Sequence, residues 1–102
     1  MIPINFSKQQ AGLVWRMIKK MLMDYEMKQD QDLIQIMDKI VPIHDKASHQ
    51  TSRCRYLFSH YHAHILWSTL KTMLDEKIIT DPGKVIDLTD VLTVLAVGLD
   101  NE

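Results

Sequence analysis

Hydrophobic residues in the first quarter of the chain recur with the period of an α-helix. Ser7 and Gln10 have the spacing of a capping box, in which two side chains bind each other's backbone at a helix start. From Ala11 onward, apolar residues return every three or four positions, and charged residues lie outside their arc. This pattern predicts a first long helix over residues 8–28. Its core face would hold Val14, Trp15, Ile18, Met21, Leu22 and Tyr25.

A second, shorter helix is predicted to begin after Asp30. Its apolar side comprises Leu33, Ile34, Ile36, Met37, Ile40 and Val41. We expect Pro42 to end this helix, because the residue before a proline is disfavoured in the helical conformation. Residues 43–50 are mostly polar and show no period, which is typical of a loop.

The third helix is predicted to be the longest, over residues 51–77, with Thr51 or Ser52 as its N-cap. It has a main apolar stripe along its length and a second stripe in its first half. The main stripe comprises Tyr56, Ala63, Leu66, Trp67, Leu70, Leu74 and Ile78, and the second comprises Cys54, Leu57, Phe58, Tyr61 and Ile65. A helix with apolar residues on two sides usually lies in the centre of a bundle.

The last part of the chain contains a turn signal and another apolar segment. Asp81-Pro82-Gly83 predicts a turn, and the segment from Asp87 to Asp90 resembles a helix cap. Residues 88–99 are rich in Val, Leu and Thr, so they fit either a helix or a strand. We favour a helix, because no strand is predicted elsewhere for this segment to pair with.

Together these elements predict an all-α fold, a small antiparallel bundle of about four helices, two long and two short. The length of 102 residues predicts a single helical domain over residues 1–102. No internal repeat is apparent among the predicted elements. We expect the first and third helices to be partners, with a core that includes Val14, Ile18, Leu22, Leu66, Trp67 and Leu70.

The composition is that of a globular protein, with 46% hydrophobic and 25% charged residues. No apolar run approaches the roughly 20 residues that a membrane span needs. The only cysteine, Cys54, favours a reducing compartment. It lies within an apolar stripe, where we expect a small core residue rather than a nucleophile. We therefore expect a cytoplasmic protein without membrane contact.

Charge is distributed unevenly although the formal net charge is only −1. Residues 46–72 contain no Asp or Glu, and their cations are Lys46, Arg53, Arg55 and Lys71. Two explanations remain open. Basic and acidic helices can lie side by side and neutralise each other, or this segment can form a surface for an acidic partner.

The histidines raise the question of a metal site. His60 and His64 are spaced to share one helix face, whereas His62 would point the other way. Two imidazoles make only half of a typical zinc site. A third ligand would have to come from another helix, with Asp24, Glu26 and His44 as candidates. Because this spacing alone has low specificity, we predict no metal and no cofactor.

Signals for catalysis are missing from the sequence, whereas signals for a contact surface are present. No phosphate-binding loop, carboxylate pair or nucleophile–base motif is recognisable, so we predict a protein that is not an enzyme and has no catalytic residues. Leu13, Met17, Met23 and Met27 fall outside the core arc of the first helix. Either a neighbouring helix covers them, or they form an adaptable contact surface.

A short, capped helical chain without catalytic motifs is similar to small accessory proteins of phages and mobile elements, many of which bind and block a host protein. The leading hypothesis is therefore a protein-binding module that inhibits or regulates a host or regulatory protein with an acidic surface. A homodimer is a further expected assembly. The expected contact residues are Lys46, Arg53, Arg55, Lys71, Met23 and Met27.

The alternative hypothesis is a dimeric, nucleic-acid-binding transcriptional regulator. The same cations, together with Arg16, Lys19 and Lys20, would then bind phosphates. We rank this hypothesis second because the seven carboxylates after Leu74 would repel DNA unless they face away from it. The isoelectric point of about 6.5 is also far from the strongly basic value typical of nucleic-acid-binding domains.

Overall fold

Two βαα units follow one another along the chain. The first consists of β1 (Ile2–Phe6), α1 (Lys8–Asp24) and α2 (Gln31–Lys46), and the second of β2 (Cys54–Phe58), α3 (His60–Asp75) and α4 (Pro82–Asp100). This computed structural model describes residues 1–24, 30–46 and 54–100, with only the backbone for residues 41–46 and 54. The protein is thus mostly helical as predicted, but it also contains a small two-stranded sheet.

The two strands pair in antiparallel fashion, from Ile2 opposite Phe58 to Phe6 opposite Cys54. One face of the sheet is buried and comprises Ile2, Ile4, Phe6, Tyr56 and Phe58, whereas Pro3, Asn5, Arg55 and Leu57 are exposed. This two-residue alternation is the pattern of a half-buried strand. The prediction of a helix from residue 51 to 77 is therefore wrong over residues 54–58, where a short apolar run fits either periodicity.

The third helix begins at His60 because Ser59 caps it. The Ser59 side chain accepts a hydrogen bond from the backbone N–H of His62 at 3.0 Å. The predicted caps, Thr51 and Ser52, lie outside the described residues. At the other end, Lys77 has a left-handed φ of 56°. Its N–H binds the Leu74 carbonyl at 3.1 Å, and the next N–H binds the Met73 carbonyl at 3.0 Å. This is the Schellman arrangement that ends a helix.

Two other helix boundaries differ from the predicted ones. α2 continues through Pro42 to Lys46. A proline within a helix removes its own N–H bond, here to the carbonyl of Asp38, and its ring crowds that carbonyl, so it bends a helix more often than it ends one at the preceding residue. α4 begins at Pro82, because the Asp81 carboxylate accepts from the N–H groups of Gly83 at 2.9 Å and Lys84 at 3.3 Å. A proline in the first helical position suits this start.

The start of α1 confirms the predicted capping box. The Ser7 N–H donates to Gln10 Oε1 at 2.8 Å, and the Gln10 N–H donates to Ser7 Oγ at 3.1 Å. The helical prediction for residues 88–99 is also confirmed. Asp30 caps α2 by accepting from the Leu33 N–H at 3.1 Å.

Helix packing places α1 against α2 and α4, and α3 against α4 and α2. The prediction that the first and third helices are partners is therefore wrong for the described residues. Of the predicted core, Val14, Ile18, Leu22, Leu66 and Leu70 are buried, and Trp67 is half-buried. Leu13 and Met17 are also buried. For these two residues, the alternative that neighbouring elements cover them is therefore confirmed, and the alternative of an exposed contact surface is wrong.

The two βαα units are an internal repeat, so the expectation of no repeat is wrong. Residues 52 positions apart occupy equivalent places, beginning with the two caps, Ser7 and Ser59. Over residues 6–22 and 58–74, seven equivalent positions are identical: Phe6 and Phe58, Ser7 and Ser59, Ala11 and Ala63, Trp15 and Trp67, Lys19 and Lys71, Met21 and Met73, and Leu22 and Leu74. These pairs include both phenylalanines and both tryptophans of the chain.

Strand pairing and helix packing follow the same repeat. Ile4 lies opposite its own equivalent, Tyr56. Exchanging each residue for its equivalent converts the pair Ile2–Phe58 into the pair Cys54–Phe6 at the other end of the sheet. The register is thus the one that a two-fold axis through the Ile4–Tyr56 pair requires. The helix contacts obey the same exchange, because α1 on α4 corresponds to α3 on α2. Each of these helix contacts in one unit therefore has a counterpart in the other.

Candidate binding surfaces

The predicted contact residues lie on different elements. Met23 is 58% exposed near the end of α1, Arg55 is exposed on the open face of the sheet, and Lys71 is exposed on α3. The Lys71 ammonium pairs with Asp75 Oδ1 at 2.8 Å. The side chain of Lys46, and all of Arg53 and Met27, lie outside the described residues. Of Arg55, Lys71 and Met23, only Met23 lines one of the three cavities considered below.

The outward side of α1 combines cations with apolar surface. A shallow groove of about 550 Å³ is lined by Trp15, Arg16, Lys19, Lys20, Met23 and Asp24. The Lys19 ammonium lies 5.1 Å from the centroid of the Trp15 ring, which is within the range of a cation–π contact. Lys20 pairs with Asp24 at 3.0 Å. We refer to Arg16, Lys19, Lys20 and Met23, with the half-buried Trp15, as the α1 face.

A second groove lies between the first turns of α1 and α4. It has a volume of about 400 Å³ and is lined by Lys8, Gln9, Gly12, Leu13, Arg16, Lys84 and Asp87. We call it the α1–α4 groove. Its cations come from two helices that are far apart in sequence. Neither Lys8 nor Lys84 was among the predicted contact residues. Lys84 was missed because the turn predicted at residues 81–83 concealed that α4 begins there.

The repeat-related counterpart is the groove between α3 and α2, where the same positions make internal contacts. The Tyr61 hydroxyl donates to Asp32 Oδ2 at 3.0 Å, and His62 Nε2 lies 3.2 Å from Asp32 Oδ1. The Asp32 carboxylate accepts this hydrogen bond and would repel a phenolate, so it raises the pKa of Tyr61 above its ordinary value of 10.0. Asp32 thus links the two units across this groove.

The three histidines of α3 divide between two sides of the helix, as predicted. His62 turns to Asp32 of α2. His60 and His64 instead line a cavity of about 320 Å³ with Trp67, Ala96, Leu99 and Asp100. Within residues 1–24, 30–46 and 54–100, no group of three His, Cys, Asp or Glu side chains is arranged to hold a metal ion. Of the proposed third ligands, Asp24 pairs with Lys20, and the side chains of Glu26 and His44 lie outside the described residues.

Comparison with protein-family models, with curated protein sequences and with solved structures finds no match for this chain. Of the helices described, none combines the length and the apolar composition needed to cross a bilayer.

Proposed function

We propose that this chain is a non-enzymatic, cytoplasmic protein-binding module that inhibits or regulates a partner protein with an acidic surface. The α1 face is the proposed docking surface. The observation that carries the proposal is the exposed Met23 beside Arg16, Lys19 and Lys20 in one shallow groove. Flexible methionine side chains adapt to irregular partners, and the cations attract carboxylates.

The α1 face contains three residue types that are common at protein interfaces. Arginine, methionine and tryptophan are enriched at interface cores. Trp15 and Met23 supply apolar contact area, and Arg16 and Lys19 supply charges on the same groove.

An affinity pull-down from host lysate, followed by mass spectrometry, tests the proposal. Binding of the captured protein is then measured for the wild type and for the double variant Arg16→Glu, Lys19→Glu. We expect the variant to associate at least about tenfold more slowly and to lose much of the salt dependence of association. Lys77→Glu reverses an exposed charge after α3, outside this groove and outside the predicted contact residues, and serves as the control. Turnover of a small molecule without any protein partner would contradict the proposal.

A second candidate function is nucleic-acid binding, favoured by three cations on successive turns of α1. Arg16, Lys19 and Lys20 could contact phosphates of one backbone. This candidate predicts a complex with duplex DNA whose affinity falls steeply with added salt. A mobility-shift assay over a range of salt concentrations separates it from the protein-binding proposal.

A further inference from the structure

The α1–α4 groove and its repeat-related counterpart have opposite chemistry at equivalent positions. Lys84 in the first groove corresponds to Asp32 in the second, and Gln9 corresponds to Tyr61. In the counterpart, Asp32 joins α2 to α3 through Tyr61. No side-chain hydrogen bond joins Lys84 to α1 in the part of the chain that the structure describes. One groove is therefore bridged by an internal contact, and the other is open and basic.

The cations of the α1–α4 groove also lack internal counter-charges. None of Lys8, Arg16 and Lys84 has a carboxylate oxygen within 4.0 Å among the described residues. Asp87 lines the same groove but forms no ion pair with them. The equivalents of Lys8 and Arg16 in the second unit are His60 and Ser68, so the concentration of positive charge belongs to the first groove alone. Three like charges around one cavity repel each other, and a bound anion relieves that repulsion.

We propose that the α1–α4 groove binds a phosphate-bearing small molecule. Arg16 offers a planar guanidinium that can bind two phosphate oxygens at once, and Lys8 and Lys84 supply point charges from either side. Asp87 opposes the anion and limits its affinity. The volume of about 400 Å³ suits a ligand of roughly the size of a nucleotide. The groove shares only Arg16 with the α1 face, so the two proposals can fail independently.

Calorimetric titration of the full chain with inorganic pyrophosphate at constant ionic strength tests this site. We expect Lys84→Gln to weaken binding about tenfold, because a hydrogen bond to a charged group is lost. Lys19→Gln removes one charge from α1 outside the groove and should leave the affinity unchanged. Thermal unfolding of each variant verifies that the fold is intact. Absence of pyrophosphate binding, or equal losses in the two variants, would overturn the proposal.

A pair of carboxylate variants provides a test of opposite sign. Asp87→Asn should tighten pyrophosphate binding about two- to fivefold, because it removes a negative charge from the groove. Asp90→Asn makes the same chemical change on an exposed part of α4 outside the groove and should have no effect. Equal tightening in both variants would indicate only a general response to net charge and would overturn the proposed site.

A second titration, with a short single-stranded oligonucleotide, distinguishes the source of the phosphate. Loss of binding in Lys84→Gln but not in Lys19→Gln would place a nucleic-acid phosphate in the groove and support the phosphate chemistry. Equal dependence on both lysines would indicate non-specific attraction along α1. That result, together with a lack of selective pyrophosphate binding, would contradict the proposed site. The proposed binding of an acidic protein would then still be tested separately, by variants of Met23 and Lys19.

Discussion

In the first βαα unit, the outward side of α1 carries Arg16, Lys20 and Met23, whereas the equivalent positions of α3 are Ser68, Thr72 and Asp75. The inward sides of the two helices, together with the strands and turns that lead into them, share several residues. Phe6 and Phe58, and likewise Ala11 and Ala63, are identical and buried. At these positions the two units agree in the interior and differ at the surface, although the exposed Lys19 and its equivalent Lys71 are identical.

The physical reason lies in the different constraints on the two sides. Buried side chains interlock at the density of a crystal, so changing one equivalent residue disturbs its neighbours. Exposed side chains have few neighbours, and most substitutions there change stability by less than about 0.5 kcal/mol. The surfaces were therefore free to acquire different charges. We therefore expect substitutions at the shared buried positions to change stability more than substitutions at the exposed positions that differ.

The largest expected effect comes from truncating equivalent core residues. Ile18 and Leu70 occupy the same place in α1 and α3, and both are fully buried. Each alanine variant should lose about 2–5 kcal/mol of unfolding free energy, because it removes buried methyl groups and leaves a cavity. Chemical denaturation measures both losses. A small loss for one variant beside a large loss for the other would show that the two units do not share the core equally.

A larger side chain at Gly98 should also destabilise the protein. A Cβ added at Gly98 of α4 would lie 2.5 Å from Ile4 Cδ1 and 3.1 Å from Ile2 Cγ2. The equivalent position in α2 is Lys46, so this close approach to a strand is a feature of α4. We expect Gly98→Val to cost roughly 1–3 kcal/mol by overpacking. Val97→Ala, at an exposed position next to it, serves as the control in the same thermal unfolding experiment.

The two serine caps should contribute equally. Ser7 Oγ accepts from the Gln10 N–H at 3.1 Å, and Ser59 Oγ accepts from the His62 N–H at 3.0 Å. Ser7→Ala and Ser59→Ala should each lose about 1 kcal/mol, whereas the two glycine variants should lose only a few tenths. Equilibrium unfolding of the four variants provides the measurement. Equal losses for alanine and glycine would contradict a capping role.

The smallest expected effect is specific to the second unit, because the first has Gln9 in place of Tyr61. Asp32 raises the pKa of the Tyr61 hydroxyl, mainly by accepting its hydrogen bond. The stabilising contact is therefore fully present below about pH 10 and is lost as the pH rises through the raised pKa. Absorbance titration of the wild type minus Tyr61→Phe isolates this phenol, and Asp32→Asn should lower its pKa. An unchanged pKa in Asp32→Asn would refute the contact.

Part of the candidate site could be anticipated from single residues. Met23, Arg16 and the cations beside them were visible as exposed positions of a predicted helix, and Met23 is exposed on α1. Lys84 could not be placed, since its position in the α1–α4 groove depends on α4 starting at Pro82 and packing beside α1. The repeat is present in the sequence as matched phenylalanines and tryptophans. The prediction of one helix over residues 51–77 concealed it, because that prediction placed Ser59, the equivalent of the cap Ser7, inside a helix.

The sequence by itself determined the local features of this protein. The Ser7–Gln10 capping box and the amphipathic start of α1 depend on contacts between residues a few positions apart. Only the tertiary structure decided that residues 2–6 and 54–58 are strands. Their partners are about 50 residues apart, and Tyr56 and Phe58 satisfy a helical stripe as well as a strand face. Long-range pairing selected the strand, because it buries one face of both segments against the helices.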